Sequence, residues 1–321
     1  MPKTKKIETP NAITDLNIEP KSIELFDTNC SVLENIDKND GWENWLKKVK
    51  DEGVYDVSFT KLKQFDSSPL DLIRYISDKT DKTTPAMAFG KLVHCIVLEP
   101  KKFDSKYLVS IKKLDKRTIE YAEHLKIAKE KGIAAENIIC KEDYLKALVI
   151  RELFLKERTC KHIMTRIVET EKHFYFDYWY NEKCFSFHGY VDAVLDNGGI
   201  CDLKTMSNVD NWRREIVKNR YDIQAVIYLL EYFLNDKTSS DNKLLGEERY
   251  NSAAQRVWND GEYYFLLTDN EGVKPSVKLS KTTLFDAVNK FHDILQKMID
   301  CNDWKRSYPF NEFCENLFIE F

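Results

Sequence analysis

The sequence predicts an α/β protein with a mixed central sheet, a three-stranded meander plus further strands, flanked by helices. Three observations lead there. Apolar residues recur at helical spacing in 85–100 and 221–234. Between 173 and 205 the pattern turns into short aromatic or β-branched runs separated by turn residues. The chain has 321 residues, 43% of them hydrophobic, enough to bury the core of one large domain or two modest ones. That hydrophobic content excludes a disordered chain. With 49 Lys and Arg against 53 Asp and Glu, the net charge is −4. A globally basic nucleic-acid coat is excluded, whereas a local basic stripe is not.

Taken in order, residues 1–54 read as an extension, with a polar tail at Met1–Thr9 and a helix across Trp42, Trp45, Leu46 and Val49. The domain follows over 55–321. Ser58 is placed to cap a helix carrying Phe59, Leu62 and Phe65, and Pro69 to open another with Leu72, Ile73 and Ile76. Pro85 opens a third, with Leu92, Val93, Ile96 and Val97 as its buried stripe, and Pro100 stops it. Residues 101–170 read as mostly helical and charged. Strands are expected at 173–180, 184–195 and 200–205, turning at Asn181-Glu182-Lys183 and Asn197-Gly198-Gly199. A helix at 221–234, a polar loop at 235–252, a hairpin of 256–268 with 273–279, a helix at 282–299 and an aromatic tail complete the chain.

The eight cysteines form no C-x-x-C pair and no Cys/His cluster, so they read as reduced thiols, and no apolar run approaches the roughly 20 residues of a membrane span. With no apolar leader at Met1–Thr9, the expectation is a cytoplasmic protein that uses no membrane.

The chemistry concentrates in Gly189-Tyr190-Val191-Asp192 and, ten residues on, Asp202-Leu203-Lys204. A three-residue loop at 197–199 would pair Asp196 with Ile200 and Asp192 with Lys204, setting Asp192, Asp202 and Lys204 on one face. A two-residue loop would put the aspartates on opposite faces. Val191, Ala193, Leu195, Cys201 and Leu203 would then make the apolar face. Two carboxylates and an ammonium on a buried hairpin form either a structural ion-pair cluster or a site for a hard divalent cation such as Mg²⁺ or Mn²⁺. In the second case Lys204 would orient or deprotonate a water and stabilise charge on a phosphoryl group.

Gly-x-x-Asp, about ten residues, then Asp-x-Lys resembles the core motif of the PD-(D/E)XK nuclease superfamily. Gly90-Lys91-Leu92-Val93-His94 resembles the upstream motif of its RecB-like members, and Gln224 with Tyr228 their downstream Gln-x-x-x-Tyr. The Met87–Pro100 phrase ending in Leu-Glu-Pro is most similar to the RecE-type exonuclease VIII branch of phages and prophages. The resemblance implies a restriction-endonuclease-like core and a Mg²⁺- or Mn²⁺-dependent exodeoxyribonuclease. It implies metal ligation by His94, Asp192, Asp202 and the Leu203 carbonyl, with Glu171 able to hold a second ion. Lys204 would position the attacking water, and Gln224 and Tyr228 would touch the DNA backbone or steady the site. Action on linear double-stranded DNA ends, 5′ to 3′, is implied, with a single-strand annealing protein as partner and a homo-oligomeric ring as assembly. No iron–sulfur cluster is expected, since Cys301 and Cys314 have no third cysteine beside them.

DNA contact is expected from Arg213, Arg214, Lys218 and Arg220 rather than from Lys112, Lys113, Lys116 and Arg117. Aromatic side chains could stack on unpaired end bases, without the sequence choosing which. A DNA-binding or assembly module on a catalytically retired fold of the same kind is the alternative, and the intact catalytic set speaks against it.

Overall fold

The computed structural model of the chain describes residues 40–78, 83–236, 244 and 246–305. The Met1–Thr9 tail, Cys30, Cys314 and the aromatic tail after residue 305 lie outside them, as does most of the polar part of the 235–252 loop.

Helix α1 (Asp40–Glu52) leads into strand β1 (Val54–Val57), then α2 (Phe59–Ser67) and α3 (Pro69–Ser77). As expected, Ser58 Oγ caps α2 by accepting from Lys61 N, and Ser68 Oγ does the same for α3 by accepting from Asp71 N. Helix α4 (Pro85–Leu98) starts at Thr84, whose hydroxyl accepts from Met87 N. After a short helix α5 (Phe103–Lys106) come β2 (Leu108–Ser110), α6 (Ile119–Glu130), β3 (Ile138–Cys140), α7 (Lys141–Lys156) and α8 (Arg158–Thr165). The central hairpin follows as β4 (Ile167–Tyr180), β5 (Lys183–Leu195) and β6 (Ile200–Thr205), then α9 (Trp212–Lys218) and α10 (Tyr221–Asn235). Helix α11 (Glu247–Asn259), β7 (Tyr263–Thr268), β8 (Val277–Lys278) and α12 (Lys281–Ile299) close the described chain.

The main sheet is mixed. β4 pairs antiparallel with β5 along its length, and β6 pairs parallel with β7, which pairs antiparallel with β8. The second edge of β5 is shared. Val54–Val57 lie parallel to Cys184–Phe187, whereas β6 pairs only at Ala193 with Cys201 and Val194 with Ile200. Among the described residues, 188–192 therefore have no strand partner on that edge. The carboxyl ends of β1 and β6 converge on this gap, the kind of place where open α/β sheets bind ligands.

Helices pack on both faces of the sheet. On one, α4, α7 and α8 bury Leu92, Val93, Ile96, Ile150, Phe154 and Cys160 against Ala193, Leu195, Cys201 and Leu203. On the other, α10, α11 and α12 pack against each other over an aromatic row: Phe174 and Tyr228 centroids are 5.5 Å apart, Phe176 and Phe187 5.2 Å, Phe187 and Phe291 5.7 Å.

Several expectations change. β4 begins six residues before His173, because its polar start is paired with the end of β5. Arg256 belongs to α11 rather than to a strand; Ala253, Ala254 and Val257 give that helix a buried stripe too small to read in sequence. The β5–β6 register is two residues from the expected one, with Val194 opposite Ile200 around Asp196-Asn197-Gly198, and Gly198 takes the left-handed position at φ +79°. A two-residue slip preserves side-chain parity, so Ala193, Leu195, Cys201 and Leu203 share the foreseen apolar face, whereas Val191, buried opposite Lys172, is not part of that cluster. Residues 40–54, read as part of an extension, pack into the body: Trp45 Nε1 donates to Asp56 O at 2.7 Å, and its ring meets Tyr55 and Trp304.

Trp45→Ala is expected to cost about 3–5 kcal/mol, read as a lower urea midpoint. An unchanged midpoint would place α1 outside the cooperative unit.

Candidate active site

At the gap the β5–β6 ladder ends and Asp192 takes over its work. Its Oδ2 accepts from Leu203 N at 2.9 Å, so a side chain supplies the bond that a strand carbonyl would otherwise make. The same Oδ2 is 2.7 Å from His94 Nε2. The other ring nitrogen of His94 is 3.1 Å from Glu171 Oε1. Glu171, the acid that the resemblance offers for a second ion, is therefore brought to His94 by the fold.

Backbone conformation explains how Glu171 gets there. The ladder passes from Thr170–Ala193 to Lys172–Val191 without a Glu171–Asp192 pair, and Glu171 has φ +51°, unusual for a residue with a side chain. The chain turns over at this point. Thr170 Oγ1 donates to Glu99, beside α4, whereas Lys172 Nζ reaches Glu231 in α10 on the opposite face, at 3.1 Å. Strain of this kind persists only where surrounding contacts fix it, and it often marks a working site.

Two glycines of the motifs are there for closeness. A Cβ on Gly90 would stand 2.9 Å from Thr205 Oγ1, so its absence lets α4 lie against the end of β6 and bring His94 to Asp192. A Cβ on Gly189 would stand 2.8 Å from the Phe174 ring that packs on Tyr228.

Asp202 is wholly buried. Lys204 Nζ lies 2.7 Å from its Oδ2, yet neither oxygen receives an aligned hydrogen bond. Burial and the neighbouring Asp192 charge push its pKa up to about 7, against the pull of Lys204. Asp192 goes the other way: burial would raise it, but His94, Lys204 and the Leu203 N–H hold it below the ordinary carboxylate value. Burial alone would lower the His94 pKa, and Asp192 with Glu171 overcomes that and holds it at about 10. Lys204 resists burial in the same way and stays above the ordinary lysine value through Asp202 and Asp192, with its ammonium 4.4 Å from the centre of the Tyr221 ring.

Gln224 and Tyr228 sit one turn apart on α10, as their spacing requires. Gln224 Nε2 donates to Tyr228 OH at 2.8 Å, and both are buried. They back the site from within the helical layer rather than line its surface.

Arg213, Arg214 and Lys218 are exposed on α9, and among the described residues none has a carboxylate within ion-pair distance. Arg220 departs from the expected role. At φ +57° it caps α10 and pairs with Asp66 at 3.3 Å and Asp222 at 3.7 Å, which makes it a brace of the α9–α10 junction. Lys112, of the other basic stretch, pairs with Glu120.

Lys63, which sequence reasoning missed, points from α2 into this region. Its Nζ donates to Asn219 Oδ1 at 3.0 Å. Its pKa is lowered by burial and by the like charges of Lys218 and Lys204, partly offset by Glu215. Only its spacing from Phe59, which meets Tyr221 one turn away, and from Asp66 hinted at a shared face.

A cleft of about 490 Å³ opens beside His94 and Glu171, with Glu99, Lys106 and Asn137 on its far wall. Glu99 is buried and engaged by Lys102, by Lys106 at 2.6 Å and by Thr170 at 3.1 Å.

The donor set suits a hard divalent cation. Asp202 is a buried carboxylate whose oxygens lack aligned donors, and it sits in the electrostatic field of a second, ionised carboxylate. Among the described residues no three His, Cys, Asp or Glu side chains stand ready around one point, because His94 closes directly on Asp192 and Glu171.

This fold, with two aspartates and a lysine at the diverging ends of two strands, defines the PD-(D/E)XK class. Residues 58–240 match the family model described as "PDDEXK-like domain of unknown function (DUF3799)", and the chain belongs to that family. No functionally curated protein matches it. A crystal structure from Eubacterium rectale, of a protein provisionally described as an exonuclease, superposes with a TM-score of 0.46 at 11% identity, covering 82% of this chain and 85% of that one. Among the described residues no helix is long and apolar enough to cross a membrane.

The titrations predict a pH dependence for the metal-free protein. Asp202 binds its proton more tightly folded than unfolded, so stability falls as pH rises from about 4 through about 7. His94 contributes stability that is full below about 6.5 and lost as pH rises toward about 10. Melting temperature in chelator should therefore fall across both windows. Asp202→Asn should flatten the lower window and His94→Gln the upper, and profiles parallel to wild type would refute the assignment.

Proposed function

We propose that this protein is a Mg²⁺- or Mn²⁺-dependent exodeoxyribonuclease of the RecE type, hydrolysing one strand of linear double-stranded DNA from its end, 5′ to 3′, in phage-type recombination. The observation that carries this reading is the buried Asp202–Lys204 pair set beside Asp192, His94 and Glu171 where β5 and β6 part. Family membership supports the nuclease class. The exonuclease branch rests on the Met87–Pro100 phrase, and with it the polarity, the annealing-protein partner and the ring assembly.

In this reading Asp192 and Asp202 hold the ion, joined by the Leu203 carbonyl and by His94, with Glu171 available to a second ion. The bound ion supplies Lewis-acid stabilisation of the phosphoryl oxygens and lowers the pKa of water. Lys204 is held protonated by the two carboxylates, so it acts as a donor: it orients the attacking water and stabilises negative charge on the phosphoryl group. That choice narrows the sequence reading, which left deprotonation open. Asp192 also fixes the Leu203 backbone, so the strand that carries both Asp202 and Lys204 is positioned by the first carboxylate. Gln224 and Tyr228, bonded to each other, back the site from α10, and Tyr221 at the start of that helix faces the Lys204 ammonium.

The backbone of the substrate would run along α9, where Arg213, Arg214 and Lys218, with Lys63 beside them, neutralise phosphates. Replacing Lys218 and Arg214 by Gln should weaken binding uniformly across sequences and reduce the salt slope of log affinity by about one for each phosphate no longer neutralised. An unaltered slope in fluorescence anisotropy would remove α9 from the interface.

The activity is tested with end-labelled linear duplex and Mg²⁺, against a closed circle and Lys204→Ala. Linear DNA should be degraded, circles should survive, and the variant should lose on the order of 10²–10³ in rate. Cleavage of circles would make the protein an endonuclease. DNA binding without any cleavage would assign the fold to assembly instead.

A further inference from the structure

The β4–β5 ribbon has one covered face and one open face. Lys172, Phe174, Phe176 and Tyr178 point to the helical layer of α10–α12. The alternate residues of the same ribbon bear large rings that stay in water: Tyr175 is 61% exposed, Tyr190 57% and Trp179 45%. Soluble proteins seldom leave a row of aromatic side chains bare without a use for it. The row is ordered by the ladder. His173 stands opposite Tyr190, with their rings edge to face at 5.0 Å, and Tyr175 stands opposite His188. The first pair lies two residues from Glu171 and from Asp192, a distance of about 6.6–6.8 Å along a strand. The acids that share the open face are engaged. Asp177 accepts from Ser186 Oγ at 2.6 Å and Tyr175 OH at 3.2 Å, and Asp56 is held by Lys61 and His188.

We propose that the open face of the β4–β5 ribbon is a stacking platform for the unpaired bases of a single-stranded DNA end, leading that strand to Asp192 and Glu171. Three features favour this occupant over a second copy of the chain. The rings form a narrow track rather than a broad patch. They are spaced along one direction, and the track ends at the carboxylates rather than at an apolar rim. Stacking needs only π-faces, so the platform takes any base and leaves phosphate binding to the cations of α9. The identity of the occupant as DNA rests on the nuclease reading above, whereas the platform itself is read by binding alone.

The test is fluorescence anisotropy of the full chain in chelator, which stops metal-dependent cutting, with a short labelled oligothymidylate and a blunt duplex. Wild type should bind the oligothymidylate and quench tryptophan fluorescence. Tyr190→Ala and Tyr175→Ser should each reduce the preference for single strand over duplex by roughly five- to a hundredfold, with melting curves like wild type. Tyr190→Phe, which keeps the ring, should restore the preference. Trp179→Phe should keep most of the binding and lose the quench. Full single-strand preference in Tyr190→Ala and Tyr175→Ser overturns the platform. So does sedimentation showing that these variants convert an oligomer to monomer without changing the preference, which gives the face to a second copy. A wild type that shows this binding but cuts no DNA with Mg²⁺ refutes the nuclease reading and leaves the platform standing.

Discussion

Asp192 and Asp202 are like charges placed together out of water, and their environments push them apart. One carboxylate is bound on three sides, by His94, the Leu203 N–H and the field of Lys204, and stays ionised. The other has the ammonium of Lys204 beside it and the more distant charge of His94, and is nonetheless driven toward its neutral form. Such an arrangement is costly unless something else balances it. The divalent cation proposed above would do so directly, by setting two positive charges beside the two carboxylates. Pairs of titratable groups whose pKa values are driven apart are also what a hydrolytic site needs. The same residues thus account for a local instability and for a chemistry.

The sheet makes that juxtaposition attainable. β5 serves β1 at one end and β6 at the other, and the unpaired stretch between them is where the backbone would otherwise carry orphaned hydrogen-bonding groups. Asp192 repairs part of the gap with its side chain. Glu171, in a left-handed conformation on β4, turns the strand over, so that Thr170 reaches Glu99 beside α4 and Lys172 reaches Glu231 in α10. Gly90 completes the arrangement by letting α4 close on Thr205.

Much of this is legible in the sequence, for a physical reason. Asp192, Asp202 and Lys204 are residue types that a buried hairpin does not use without cause, whereas His94 and Glu171 are indicated only by the family motifs that the sequence resembles; the fold brings all five together. Side-chain parity survives a shifted register because the slip is even. The meander, the Ser58 cap, the helix starts at Pro69 and Pro85 and the α4 stripe follow from local rules. What stays hidden depends on long-range partners. Arg220 reads as a DNA-binding cation, since nothing in its neighbourhood reveals that Asp66, far earlier, will claim it. Lys63 lies more than a hundred residues from Asn219 and cannot be tied to the site from sequence. The exposure of Tyr175 and Tyr190 is equally hidden, because an aromatic strand reads as core until the helices that cover only one of its faces are placed.

The account turns on Asp192 and Asp202 sharing one cation. Titration of Mn²⁺ into the purified protein, followed by electron paramagnetic resonance of the free ion, tests this without reference to any substrate. Saturable binding by the wild type that is abolished in both Asp192→Asn and Asp202→Asn, with each variant still folded, is the predicted result. Equal Mn²⁺ uptake by Asp202→Asn and wild type would contradict it, and would leave the buried pair as a structural ion cluster.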